Sequence, residues 1–193
     1  KKIINQTILK QKSDQRTLSL LILGGSQGAE IFGRVIPSVI KTLKENGYNI
    51  EISQQCIPSQ KNMLINFYQE NNIKSNIFEF DKNIFKLILS TDLVISRCGA
   101  STMAELVQAC TPFIAVPLPD SIDNHQYLNA KYYESNGCCW LMEQKNLNKH
   151  NLFNLITEVM KDKKKLKNMF ENMKKNHTKD VYDNIESKII ELI

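Results

Sequence analysis

LSLLIL at residues 18 to 23 is a short, mostly apolar run that ends in Gly24-Gly25, the pattern of a buried parallel strand feeding a turn. Behind it Ile31, Val35, Val39 and Leu43 recur at steps of four, with Phe32, Ile36 and Ile40 beside them. That spacing predicts one apolar helix face. Pro37 falls inside the stripe and predicts a kink or break between Gly33 and Pro37, and Gly47 is placed to end the helix. The alternation then repeats: YNIEIS reads as a strand, Pro58 to Asn71 as a helix, SNIFEF as a strand and Asn83 to Ser90 as a short helix. DLVIS, PFIAVPL and CCWLM read as three more strands, separated by helices over Ala100 to Ala109 and His125 to Ser135. Strands alternating with helices at this rhythm predict an α/β fold, a Rossmann-like, mostly parallel six-stranded sheet with helices on both faces. Helical spacing continues from Asn148, and Val181, Ile185, Ile189 and Ile190 mark a last helix with no strand after it. The expected division is a linker remnant over 1–17, the sheet domain over 18–177 and a carboxyl-terminal helix over 178–193 that packs on something outside the sheet.

Composition narrows the classes. The 193 residues are 42% hydrophobic, enough for a sizeable core. No apolar run reaches the length of a membrane span and the first residues lack a signal-peptide pattern, so a cytoplasmic chain is expected. Cys56, Cys98, Cys110, Cys138 and Cys139 are odd in number and show no metal-type spacing, so they read as reduced core thiols. Of the net charge of +5, the stretch from Lys161 to Ile193 holds +3, with nine lysines against six acids. A solvated helix face accounts for it, with an anionic membrane surface as the alternative. Nucleic acid is not expected, since arginine clusters and interleaved aromatics are missing from the tail.

In a parallel sheet ligands bind outside the carboxyl ends of the strands, which directs attention to three turns. LGGSQGAEI, residues 23 to 31, fits a phosphate cradle, a dinucleotide fingerprint or a serine-hydrolase elbow with Ser26 as nucleophile. Its glycines at 24, 25 and 28 let backbone amides approach a ligand oxygen, so Gly25, Ser26 and Gln27 are binding candidates. SRCGASTMAEL, Ser96 to Leu106, opens a helix at Ala100, where the amides of Ser101, Thr102 and Met103 suit a diphosphate. Glu105, one turn in, suits the paired hydroxyls of a ribose; a capping box between Ser101 or Thr102 and the glutamate is the structural alternative. PLPDSIDNHQYLNA, Pro117 to Ala130, crowds Asp123, Asn124, His125 and Gln126 at a helix start, side chains that read sugar hydroxyls. His125 is expected to bind or orient rather than to catalyse.

These turns weigh against two of the three chemistries. A hydrolase elbow needs several strands before its nucleophile, and only one precedes Ser26. The dinucleotide fingerprint needs G-x-G-x-x-G and an acid after the second strand, whereas the chain has G-G-x-x-G and then Ser53, Gln54 and Gln55. A phosphate-and-ribose site spread over three turns fits a nucleotide sugar.

GGSQGA at 24 to 29, SRCGASTMAEL at 96 to 106 and DNHQYLNA at 123 to 130 closely resemble the carboxyl-terminal domain of the MurG family, the family 28 glycosyltransferases of bacterial peptidoglycan synthesis. The resemblance covers residues 18 to 145. It implies one half of a GT-B fold, transfer of N-acetylglucosamine from UDP-GlcNAc to lipid I with inversion to give lipid II, no tightly bound metal, and a place on the cytoplasmic face of the inner membrane. It implies that Ser26 meets the diphosphate region, that the Ala100 to Thr102 turn holds the phosphates and that Glu105 takes the ribose. Asp81 would meet uracil through its backbone, and Gln126, beside His125, would bind the sugar hydroxyls. The catalytic base is then expected in an amino-terminal acceptor domain or subunit, outside this chain. Gln54-Gln55-Cys56-Ile57 replaces the family's His-Gln pair and following glycine, and Cys110 replaces a tight glycine. Two other readings are a nucleotide-sugar-binding subunit that docks on a separate acceptor subunit, and an NAD-binding oxidoreductase domain.

Overall fold

The computed structural model describes residues 17–25 and 29–177. The calls on the linker over 1–17, apart from its last residue, and on the helix over 178–193 lie outside the described residues, as do Ser26, Gln27 and Gly28. Six strands, β1 (Leu18–Leu23), β2 (Ile50–Gln55), β3 (Lys74–Phe78), β4 (Leu93–Ser96), β5 (Phe113–Ala115) and β6 (Trp140–Leu141), form one sheet in the order β3-β2-β1-β4-β5-β6. Every pairing is parallel. The order reverses direction between β1 and β4, and at such a switch point the connecting loops leave to opposite sides and open a crevice.

The helices between the strands are α1 (Glu30–Glu45), α2 (Lys61–Glu70), α3 (Ile84–Ser90), α4 (Ala100–Gln108) and α5 (His125–Ser135), followed by α6 (Lys149–Lys161) and α7 (Lys163–His177). Helix α1 packs against α2 and α6, while α4 packs against α5 and α7. The central strands are covered on both faces: Leu20 to Leu23 in β1 and Leu93 to Ser96 in β4 are all buried. That is why these strands read as continuous rather than alternating apolar runs. Edge strand β3 is more open, and its Lys74 pairs with Glu51 across the ladder at 2.9 Å.

Of the kink or break expected between Gly33 and Pro37, the break does not occur, because helix α1 continues from Glu30 to Glu45 with Pro37 inside and buried. Proline removes one helical hydrogen bond and crowds the carbonyl four residues back, here that of Gly33, which has no side chain to add to the crowding. Burial of Phe32, Ile36, Val39, Ile40 and Leu43 on one face outweighs the missing bond. β5 and β6 are shorter than PFIAVPL and CCWLM suggested.

Four helices end alike. After α1, α2, α4 and α5 the chain turns through left-handed residues Gly47, Asn72, Cys110 and Gly137, and paired backbone bonds close each end. After α4, Cys110 N–H donates to the Val107 carbonyl at 3.0 Å and Thr111 N–H to that of Leu106 at 3.1 Å. This double closure satisfies the last helical carbonyls. The Cys110 position thus keeps the geometry of a glycine without being one. All five cysteines are free and buried, as the sequence suggested.

Candidate functional site

The site is built where β1, β4 and β5 end side by side. After β1, Gly25 takes a φ of +79°, a left-handed angle that glycine adopts without strain. Its neighbour Gly24 donates its N–H to Gln55 Oε1 at 3.1 Å, and Gln55 Nε2 donates to the Glu79 carbonyl at 3.1 Å. One side chain at the end of β2 therefore ties the glycine turn to the loop after β3. Gln54, next to it, is buried and accepts a 2.6 Å bond from the Tyr68 hydroxyl, and burial pushes that phenol's pKa up. Gln54, which stands where the family has a histidine, and its neighbour Gln55 thus both have structural partners.

After β4, helix α4 starts from Gly99 in an extended conformation with no side-chain cap. The capping box is therefore not formed, and among the described residues the N–H groups of Ala100, Ser101 and Thr102 have no acceptor. Met103 is a correction. Its N–H already donates to the Gly99 carbonyl at 3.0 Å, and its side chain is fully buried in the core, so it offers nothing to a ligand. Ala100 and Ser101 are exposed, and Thr102 and Glu105 are half-buried. Three unpaired amides at a helix start, carrying the positive end of its dipole, suit a phosphate.

The loop after β5 is locked to this turn by Gln126. Its Oε1 accepts from Cys98 N–H at 3.0 Å and from Leu118 N–H at 3.1 Å, and Asn129 one turn later donates to the Cys98 carbonyl at 3.1 Å. The expectation that Gln126 is simply a sugar ligand is corrected in part: its oxygen is committed to the backbone, which leaves only Nε2 for a ligand. His125 is exposed, with Nδ1 2.7 Å from the Ile122 carbonyl oxygen; a carbonyl only accepts, so Nδ1 carries the proton in that contact. Asp120, Asp123 and Asn124 all have positive φ, angles that Asp and Asn tolerate better than other side chains. Asp81, in the loop after β3, accepts from Asn83 N–H at 2.6 Å.

Residues assigned no role from the sequence complete the site. Arg97, inside the quoted motif, is buried; Nη1 donates to the carbonyls of Val116 at 3.2 Å and Pro117 at 3.1 Å, Nη2 donates to Gln144 Oε1 at 2.5 Å, and the guanidinium lies 5.1 Å from the Phe32 ring centroid. Burial lowers its pKa. Burial likewise pushes the neighbouring Cys98 thiol up to about 12, partly offset by the Arg97 charge, so this thiol is protonated and unreactive at neutral pH. Gln55, Asn129 and Gln144 carried no local signal, because amide side chains become meaningful only through the distant backbone that they reach.

Comparison with known proteins agrees with this geometry. The family model "Glycosyltransferase family 28 C-terminal domain" matches residues 19–185. The UDP-N-acetylglucosamine--N-acetylmuramyl-(pentapeptide) pyrophosphoryl-undecaprenol N-acetylglucosamine transferase of Pelagibacter ubique is 37% identical over 177 residues, covering 92% of this chain and 49% of the relative. The protein of the same name from Rickettsia bellii is 38% identical over 190 residues, covering 97% of this chain and 53% of the relative. Among solved structures, Acinetobacter baumannii MurG superimposes with a TM-score of 0.79 at 26% identity, covering 94% of this chain and 54% of that one. The chain spans about half the length of the relatives that it matches. The chain belongs to glycosyltransferase family 28 and carries its carboxyl-terminal domain.

Proposed function

We propose that this chain is the donor-binding half of an inverting transferase that moves N-acetylglucosamine from UDP-N-acetylglucosamine to lipid I, giving lipid II for peptidoglycan. The observation that carries the reading is the convergence of loops at the ends of β1, β4 and β5, the latter two tied together by Gln126, beside the amides of Ala100, Ser101 and Thr102 that have no acceptor among the described residues. The names of the Pelagibacter and Rickettsia relatives support the choice of donor and acceptor.

In this reading the diphosphate lies between the turn of Gly25, Ser26 and Gln27 and the first turn of α4. Helix N-termini and backbone donors stabilise charge that grows on a departing diphosphate, so they act more strongly on the transition state than on the bound donor. Glu105 accepts from the ribose hydroxyls, the Asp81 backbone meets uracil, and His125 with Gln126 Nε2 meets the sugar. The transfer takes no tightly bound metal. The base that activates the acceptor belongs to an amino-terminal domain or subunit, which also carries lipid I, and the assembled enzyme works at the cytoplasmic face of the inner membrane. Among the described residues no helix is long and apolar enough to cross a membrane.

Calorimetric titration of the chain with UDP-N-acetylglucosamine, UDP and NAD tests the reading. Both uridine ligands are expected to bind and NAD is not, and Glu105→Ala is expected to weaken UDP by roughly tenfold, the effect of losing charged hydrogen bonds to a ligand. Binding of NAD without UDP would favour an oxidoreductase domain instead.

A further inference from the structure

We propose that Gln144 is a positioning residue that holds Arg97 as an uncompensated positive charge behind the turns of the site, where it attracts a diphosphate-bearing ligand. The inference rests on the donor-binding reading, since it takes a nucleotide diphosphate as the anion. Among the described residues every group bonded to the guanidinium is neutral: two carbonyls, one amide oxygen and the face of Phe32. Among the described residues no carboxylate forms an ion pair with it, and the ion pairs present join other cations on the surface. Glu143, adjacent to Gln144, is turned to Lys145 at 3.0 Å instead.

A buried cation without a counter-ion is costly, and burying two charges together repays only part of the desolvation. The cost falls if an anion arrives as a ligand. Arg97 stands where one would: it is the first residue after β4, its N–H donates to the Leu23 carbonyl at the end of β1 at 3.0 Å, and its Cβ lies 3.8 Å from the place a β-carbon on Gly25 would occupy. Two residues on, Gly99 opens helix α4. The stem of Arg97 therefore packs on the glycine turn and its backbone leads into α4, while its guanidinium is held on the loop after β5, largely removed from water that would screen its charge. The neutrality of Gln144 decides the outcome, because a carboxylate in its place would cancel the charge while keeping the bond.

Gln144→Glu separates charge from architecture. The 193-residue chain and the variant are titrated with UDP, uridine and inorganic pyrophosphate, with melting temperatures recorded alongside. The variant is expected to melt at or above the parent, to bind UDP and pyrophosphate roughly tenfold more weakly, and to bind uridine unchanged. Equal UDP binding in both proteins would overturn the proposal, and so would a parallel loss of UDP and uridine, which marks displaced loops. If the parent binds neither uridine nor UDP, the donor reading fails by itself; pyrophosphate binding that the variant loses would still support the charge, and no pyrophosphate binding would end it. Arg97→Met is the second variant: it removes the cation while filling the space, and weaker UDP binding with unchanged uridine binding is expected again.

Discussion

The side-chain amide of Gln60 packs against Gly33 so closely that a β-carbon at Gly33 would come within 2.3 Å of its Oε1. Gln60 Nε2 also donates to the Glu30 carbonyl in the first turn of α1 at 3.0 Å. The contact ties the start of α1 to the segment after β2. An alanine in a helix is worth about 1 kcal/mol over glycine, so Gly33→Ala made in a Gln60→Ala background is expected to stabilise by up to that amount. Made alone, it must move a buried amide and break its bond, and a loss of about 1 kcal/mol is expected. Urea unfolding of both single variants and the double variant gives the coupling; a stabilising single Gly33→Ala would show that the contact is not held.

Gln126 is expected to act on stability through its oxygen and on ligand through its nitrogen. Gln126→Ala strands the N–H groups of Cys98 and Leu118, and a loss of about 1–3 kcal/mol should follow. Gln126→Glu keeps two acceptor oxygens but has no donor. Its unfolding midpoint should stay near that of the parent, while UDP-N-acetylglucosamine binding weakens more than UDP binding. Equal weakening of both ligands would remove the sugar contact from Nε2.

Cys110 sits at φ 51°, where a side chain costs about 1–2 kcal/mol. Cys110→Gly relieves that strain and forfeits a small buried thiol, so near-neutral stability is expected. Cys110→Val puts a β-branched side chain at a left-handed angle and should destabilise by about 2 kcal/mol or more. Thermal melts of the two variants rank them, and a valine variant as stable as the parent would contradict the observed turn.

Burial raises the pKa of every one of the five thiols, with Cys98 reaching about 12 from 9.0. An acid whose pKa is raised in the folded state binds more protons folded than unfolded once the pH passes the unfolded value. Stability should therefore be intact below about pH 9 and fall above it, by up to ~1.4 kcal/mol per pH unit for each fully buried thiol. Cys98→Ala should flatten part of that slope in urea titrations between pH 8 and 11, whereas an unchanged slope would show that Cys98 is not the titrating group.

The alternation of apolar runs with helical stripes was enough to specify a parallel α/β sheet, because strand and helix periods are properties of consecutive residues. The three loops at the carboxyl edge were legible for the same reason: glycines, helix starts and clustered polar side chains are local. What Pro37, Cys110, Gln126 and Arg97 do was decided only in three dimensions. Pro37 stays helical because the opposite face of α1 is buried, Cys110 turns left-handed because two backbone bonds close around it, and Gln126 joins two backbone segments that lie eight and twenty-eight positions away. That Arg97 meets neutral partners depends on which groups from the loop after β5, α1 and the turn after β6 surround it. Burial and long-range hydrogen bonds are sums over neighbours distant in sequence, and no short stretch of residues encodes them.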